Sequence, residues 1–225
     1  MKLKYQIALL LQKSSLIRKI LYKRINTFVL IKQNGDKVYN PKIKNLKLNL
    51  YGKNNYVEIH EPINIKTELY LSLVKNNKVI IKENNTYDKC RMFLGSNNQI
   101  SIDSNTTIEN ADLITKNSTN KSISIGKDCM LSYGLKLRTS DGHTVYDNTT
   151  RQILNKPENI SIANHVWLAA NATILKGSNI PSNCIVGTNS IVNKFFEKEN
   201  CMIAGVPAKV VKENINWDRM NTDEF

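Results

Sequence analysis

Near the C-terminal end of the chain, aliphatic residues recur every six positions without a slip: Ile162, Leu168, Ile174, Ile180, Val186 and Val192. Four residues after each of the first five stands a small or β-branched residue, at Val166, Ala172, Ser178, Cys184 and Ser190. A helix repeats at about 3.6 residues and a strand at about 2, so neither explains this spacing. A coil with three flat sides does. Each side carries one inward aliphatic residue, and a small residue fits where the coil turns its corner. The same period recurs at Ile125, Leu131 and Leu137 and again at Ile102, Ile108 and Ile114. Such regularity predicts stacked coils that share one continuous core, and it argues against ordinary strands in a sandwich.

Upstream the texture is β-rich but less regular. Lys42–Leu50, Val57–Ile59, Leu69–Val74 and Val79–Lys82 read as short strands. They are punctuated by Asn54-Asn55, Asn76-Asn77, Asn84-Asn85 and Asn97-Asn98. Asparagine tolerates left-handed backbone, so these pairs read as turns. Residues 1–28 differ. At a helical pitch, Ile7, Leu10, Ile17, Leu21, Ile25 and Phe28 fall in one stripe, with Lys2, Lys13, Lys19, Lys23 and Arg24 off it. That pattern predicts a helix, packed on the domain or a sister subunit, or resting peripherally on an anionic membrane surface.

Charge follows the same division. The 225 residues carry a formal net charge of +13, but residues 1–53 hold thirteen Lys and Arg against the single acid Asp36. The remainder is close to neutral. A protein that coats nucleic acid would spread its charge over the binding face, so no nucleic-acid partner is expected. A localised basic patch suits an anionic surface or polymer. No apolar run approaches the ~18 residues of a membrane span. Ile7–Leu11 is too short for a secretory signal core. Cys90, Cys129, Cys184 and Cys201 show neither a CxxC pair nor zinc spacing, and read as buried thiols in a reducing compartment. The expected location is therefore the cytoplasm, at the inner membrane face if residues 1–28 dock there.

The steps Ile162-Ala-Asn-His-Val166, Leu168-Ala-Ala-Asn-Ala172, Ile174-Leu-Lys-Gly-Ser178 and Val186-Gly-Thr-Asn-Ser190 resemble the hexapeptide repeat of left-handed parallel β-helix acyltransferases. Ala204-Gly-Val-Pro-Ala-Lys209 resembles the turn that ends the β-helix in acetyl-CoA-dependent O-acetyltransferases of that family. The resemblance is closest over residues 123–212. It implies an all-β fold: a left-handed β-helix over 41–212, preceded by a basic, partly helical segment at 1–40 and followed by a tail at 213–225. It also implies a homotrimer with active sites between neighbouring subunits.

The period is interrupted between Leu137 and Ile162 by an insertion, residues 138–161, that a coil does not need. Loops projecting from rigid scaffolds often carry function. This one holds His143, and an imidazole titrating near neutrality suits the deprotonation of an attacking hydroxyl. In the resemblance, a loop histidine is the general base and precedes a coil tryptophan by two dozen residues; here His143 precedes Trp167 by 24. Asp141, two residues before His143, has two readings: a carboxylate that orients the imidazole, or a turn residue in Ser-Asp-Gly. In the resemblance, Trp167 packs on the pantetheine arm or shapes the acceptor pocket. Ala170 stands where the family often has serine, so an oxyanion donor there must be backbone N–H. Thr188, Asn193, Lys194, Lys209 and Lys212 match the positions that line the coenzyme and its phosphates. No metal is implied, because His60, His143 and His165 lack the spacing of a zinc triad.

The resemblance thus implies acetyl transfer from acetyl-CoA to a sugar hydroxyl by direct attack. The loop looks most like enzymes that decorate bacterial surface polysaccharides, including polysialic acid capsules, and an anionic glycan acceptor suits the basic segment. Two other readings remain open from the sequence: acetylation of a small sugar, amino acid or amine, and a non-catalytic anion- or nucleic-acid-binding β-helix.

Overall fold

A computed structural model of the chain describes residues 25–220 and 223. These form a three-faced solenoid of parallel strands. The first face is an eight-stranded sheet built from Thr27–Ile31, Tyr56–His60, Lys78–Ile81, Gln99–Ile102, Ser122–Ile125, Ile160–Ile162 and Asn179–Ile180, with Lys37–Tyr39 antiparallel at its edge. The second and third faces belong to one folded sheet. In the upper coils, the long strands Ile63–Lys75, Asn85–Ser96 and Thr107–Thr119 run across both faces. In the lower coils each is replaced by two short strands. Met130–Leu131, Trp167–Leu168 and Ile185–Val186 lie on the second face. Leu135–Arg138, Thr173–Leu175 and Ile191–Val192 lie on the third. The strand Cys201–Gly205 ends the stack and pairs antiparallel with Ala208–Glu213.

The six-residue period is the pitch of this coil. Ile162 pairs with Ile180, Leu168 with Val186 and Ile174 with Val192, so three steps make one turn. All six side chains lie in the core, as do the corner residues Val166, Ala172, Ser178, Cys184 and Ser190. One step differs from the sequence reading. Leu113, not Ile114, is the buried partner of Leu137. The strand Thr107–Thr119 turns its corner without a loop, and the phase slips by one residue between Ile108 and Leu113.

The asparagine pairs are corners. Asn54, Asn76, Asn84 and Asn97 all take positive φ between 54° and 59°. The second asparagine of three pairs points inward and builds a ladder. Asn55 Nδ2 donates to Asn26 Oδ1 at 3.0 Å, Asn77 Nδ2 to Asn55 Oδ1 at 3.0 Å, and the Asn98 N–H to Asn77 Oδ1 at 3.0 Å. Buried amides are thereby satisfied coil to coil, which keeps a polar corner inside an apolar stack.

The helix expected over residues 1–28 lies mostly outside the described residues. Where it is described the chain is different: Thr27–Ile31 is a strand, parallel to Tyr56–His60, with Phe28, Val29 and Leu30 buried. A Thr-Phe-Val-Leu-Ile run suits a pleat covered on both faces better than a helix surface. Coils therefore begin ahead of the boundary read at residues 40–41. Among the described residues no helix is long and apolar enough to cross a membrane.

Candidate active site

Between Leu135–Arg138 and Ile160–Ile162 the chain leaves the solenoid at the corner joining the third and first faces. The excursion is held by its own hydrogen bonds. At its base the Glu158 N–H donates to the Thr139 carbonyl at 3.1 Å. Further out, Tyr146 and Ile153 form an antiparallel bridge, and the Leu154 N–H donates to the Val145 carbonyl at 2.8 Å. Asp147 closes the tip by accepting the N–H groups of Thr149 and Thr150.

His143 lies on the ascending limb, with its side chain exposed. Its backbone is clamped. Asn155 Nδ2 donates both to the His143 carbonyl at 2.8 Å and to Asp141 Oδ2 at 3.0 Å, while Asn155 Oδ1 accepts the Val145 N–H at 2.7 Å. The Asp141 carboxylate also forms an ion pair with Lys176, from the next coil. Gly142 takes φ +93°, a conformation open to glycine, and its N–H donates to Ser140 Oγ at 3.0 Å. Asp141 thus serves the turn and the loop anchor. Its carboxylate is engaged by Lys176 and Asn155, and Asn155 links it to the His143 carbonyl.

The Lys176 ammonium, with help from Asn155, holds the Asp141 carboxyl below its ordinary range. A lowered folded pKa gives stability that is present above the unfolded value, about 4 for aspartate, and lost as pH falls through the folded value. The pair is partly exposed, so its weight falls on loop order more than on global stability. Lys176→Gln is expected to speed amide exchange over residues 141–155 at neutral pH. Acidification below about pH 4 should lower the protection of the same amides in the parent, measured against intrinsic exchange at each pH, and add little to the variant.

Trp167 opens a second-face strand, with its side chain outward and Leu168 inward. Ala170 and Thr188 sit one coil apart on the corner between the second and third faces, where the Asn189 N–H donates to the Ala170 carbonyl at 3.0 Å. Among the described residues the Ala170 N–H donates to no backbone carbonyl. The Gly205–Lys209 turn continues that edge, with the Gly205 N–H on Ser190 Oγ at 3.1 Å. Lys209 and Lys212 are exposed on the closing hairpin. Asn193 and Lys194 follow Ile191–Val192 one coil beyond Lys176, on the edge that carries the loop. Lys194 Nζ lies 5.1 Å from the Phe196 ring centre. Within one chain the candidates therefore fall on two edges. Asp141, His143, Asn193 and Lys194 share one; Ala170, Thr188 and Lys209 share the other, which closes the face that Trp167 opens.

The four cysteines are free and buried. Burial pushes the Cys129 thiol up to about 11, which leaves little thiolate for nucleophilic chemistry. Among the described residues no three His, Cys, Asp or Glu side chains gather as metal ligands.

No family model matches the sequence. Individual proteins do. The polysialic acid O-acetyltransferase of Neisseria meningitidis is 37% identical over 126 residues, covering 56% of this chain and 58% of that protein. That of Escherichia coli O1:K1 is 32% identical over 170 residues, covering 76% of this chain and 47% of that protein. The chain thus spans roughly half the length of these curated relatives. The crystal structure of the polysialic acid O-acetyltransferase OatWY superposes with a TM-score of 0.71 at 33% identity, covering 81% of this chain and 88% of that one. The chain belongs to the hexapeptide-repeat O-acetyltransferase family. Its solenoid is accordingly the family's left-handed β-helix.

Three residues around the site of this hexapeptide-repeat protein escape the sequence reading. Lys176 was legible in principle: the period aligns Leu137 with Ile174, which puts Lys176 beside the point where the loop departs. Asn155 lies in a segment without period or motif. Trp217 comes from the tail, where a lone aromatic residue gives no signal, yet its ring centre lies 6.2 Å from that of Trp167.

Proposed function

We propose that the protein transfers acetyl from acetyl-CoA to a sugar hydroxyl of an anionic bacterial surface polysaccharide. The observation that carries this reading is an exposed histidine whose backbone is clamped by Asn155, on a loop pinned to a rigid coil through Asp141 and Lys176. A loop held in place that presents a free imidazole is what a general base needs. The names of the relatives support the acceptor class.

In the proposed reaction the acceptor hydroxyl attacks the thioester carbonyl as His143 takes its proton. The tetrahedral oxyanion is met by backbone N–H, with that of Ala170 as the candidate. Collapse expels the coenzyme thiolate, which recovers the proton from the imidazolium. Asp141 holds the loop. Trp167 flanks the pantetheine arm, Thr188 and Asn193 line it, and Lys194, Lys209 and Lys212 meet the phosphates as point charges.

The two edges are reconciled by a homotrimer in which the loop of one subunit meets the Trp167 edge of the next. Val145, Tyr146, Ile153 and Leu154 are exposed on the hairpin, apolar surface suited to such a contact. In this reading the enzyme works in the cytoplasm, with the basic segment ahead of Thr27 meeting the inner membrane face. Co-expression of His143→Ala and Trp167→Ala chains tests the shared site. Mixed trimers assemble some sites from two intact edges, so activity returns where each variant alone has little. No recovery in verified mixed trimers would place the site within one chain.

A further inference from the structure

The tail folds back along one corner of the solenoid. Asn105, Asp128, His165, Asn183 and Asn200 stack there, all with positive φ between 53° and 61°. The Ile215 N–H first donates to the Asn200 carbonyl at 3.0 Å. Trp217 then lies flat on the His165 ring, with centres 4.2 Å apart and planes within 8°. Its Nε1–H donates to the His165 carbonyl at 2.9 Å, and its own carbonyl lies 3.1 Å from His165 Nε2. The other ring nitrogen of His165 lies 2.7 Å from Asp128 Oδ2. Arg219 fastens the far end on Asp128, Thr107 and the carbonyls of Asn105 and Cys129. Trp217 is 7% exposed, so this short strap is seated in the fold.

What the strap touches gives it a use. Trp167 projects from a flat two-residue strand between Met130 and Ile185, the neighbours above and below it in register. An indole on such a face is free to swing about two torsions unless something walls it. Trp217 supplies that wall, tilted at 51° to Trp167 in the favourable inclined arrangement of aromatic pairs.

We infer that Trp217 is a positioning residue: carried by the C-terminal strap and locked on His165, it fixes the Trp167 indole against which the acyl-CoA arm packs. The inference rests on the donor site proposed above. A wall residue that moves by about 1 Å is enough to disturb a reacting geometry.

The test uses full-length parent, Trp217→Ala, Trp217→Phe and Arg219→Ala proteins. Each is titrated with coenzyme A by calorimetry and assayed with acetyl-CoA and glycan varied separately. Trp217→Ala is expected to raise both the Kd for coenzyme A and the KM for acetyl-CoA about tenfold, the weight of one aromatic pair. The KM for the glycan should stay within about twofold, and Trp217→Phe should restore most of the affinity. Arg219→Ala, which loosens the strap from its far end, should shift the same two constants in the same direction. It carries the test if Trp217→Ala fails to fold. Unchanged coenzyme affinity in folded Trp217→Ala, or in Arg219→Ala where that variant stands in, overturns the inference; so does an equal rise in both KM values. A parent that binds no coenzyme A defeats the donor site itself and the inference with it.

Discussion

Replacing His143 by alanine should cut acetyl transfer by about 10²–10⁴-fold, the usual contribution of a positioned general base. The loss should fall on kcat, with the KM for acetyl-CoA little changed, because the imidazole acts on the hydroxyl proton as the oxygen attacks. Folding should be untouched. The side chain is exposed, and the bonds that hold the loop come from its backbone carbonyl, from Asp141 and from Asn155. Thermal melting within about 1 °C of the parent, beside the collapse of kcat, would separate a chemical role from a structural one. Undiminished transfer would remove His143 from the mechanism.

The second large effect is on the fold. Asn77 is buried and serves three coils at once. Its Nδ2 donates to Asn55 Oδ1 at 3.0 Å and to the Gly95 carbonyl at 2.8 Å, and its Oδ1 accepts the Asn98 N–H at 3.0 Å. Asn77→Ala strands a carbonyl and an N–H where water cannot reach them. Each such orphan costs about 1–3 kcal/mol, so a loss of about 3–5 kcal/mol is expected in a denaturant melt. Neighbouring coils lose their shared rung, and damage in a solenoid spreads through nearest neighbours. By contrast Asn76→Gly keeps the positive φ and should cost under about 1 kcal/mol. Similar losses in the two variants would mean that the corner conformation, not the ladder, holds the upper coils.

The lower coils were legible because they are tight. With three six-residue steps per turn, each residue's place follows from its phase, and the inward aliphatic and corner residues fall where the period puts them. The upper coils are wider. Ile59 pairs with Ile81, Ile81 with Ile102 and Ile102 with Ile125, steps longer than the lower turn. The extra residues gather at the corner leading back to the first face, between Leu113 and Ile125, while the step from Ile108 to Leu113 is one residue short, so the phase slips. Asparagine pairs still marked those corners, because the backbone demand for positive φ is local. His143 was legible as a candidate because it stands in an insertion that the period exposes, and its side chain lies exposed on that loop. Its supports were not. Lys176 reaches Asp141, and Trp217 reaches Trp167, by stacking of coils and return of the tail, contacts that no local pattern encodes.

Ester formation on a glycan can be read in the product. Full-length protein is incubated with [¹³C]acetyl-CoA and polysialic acid, beside neutral glycans and small amines, and the polymer is examined by NMR. Label is expected on a sugar carbon–oxygen position of the anionic polymer, removed by mild alkali and absent with His143→Ala. Label resistant to mild alkali, as in an amide, or label recovered only as free acetate, would contradict it.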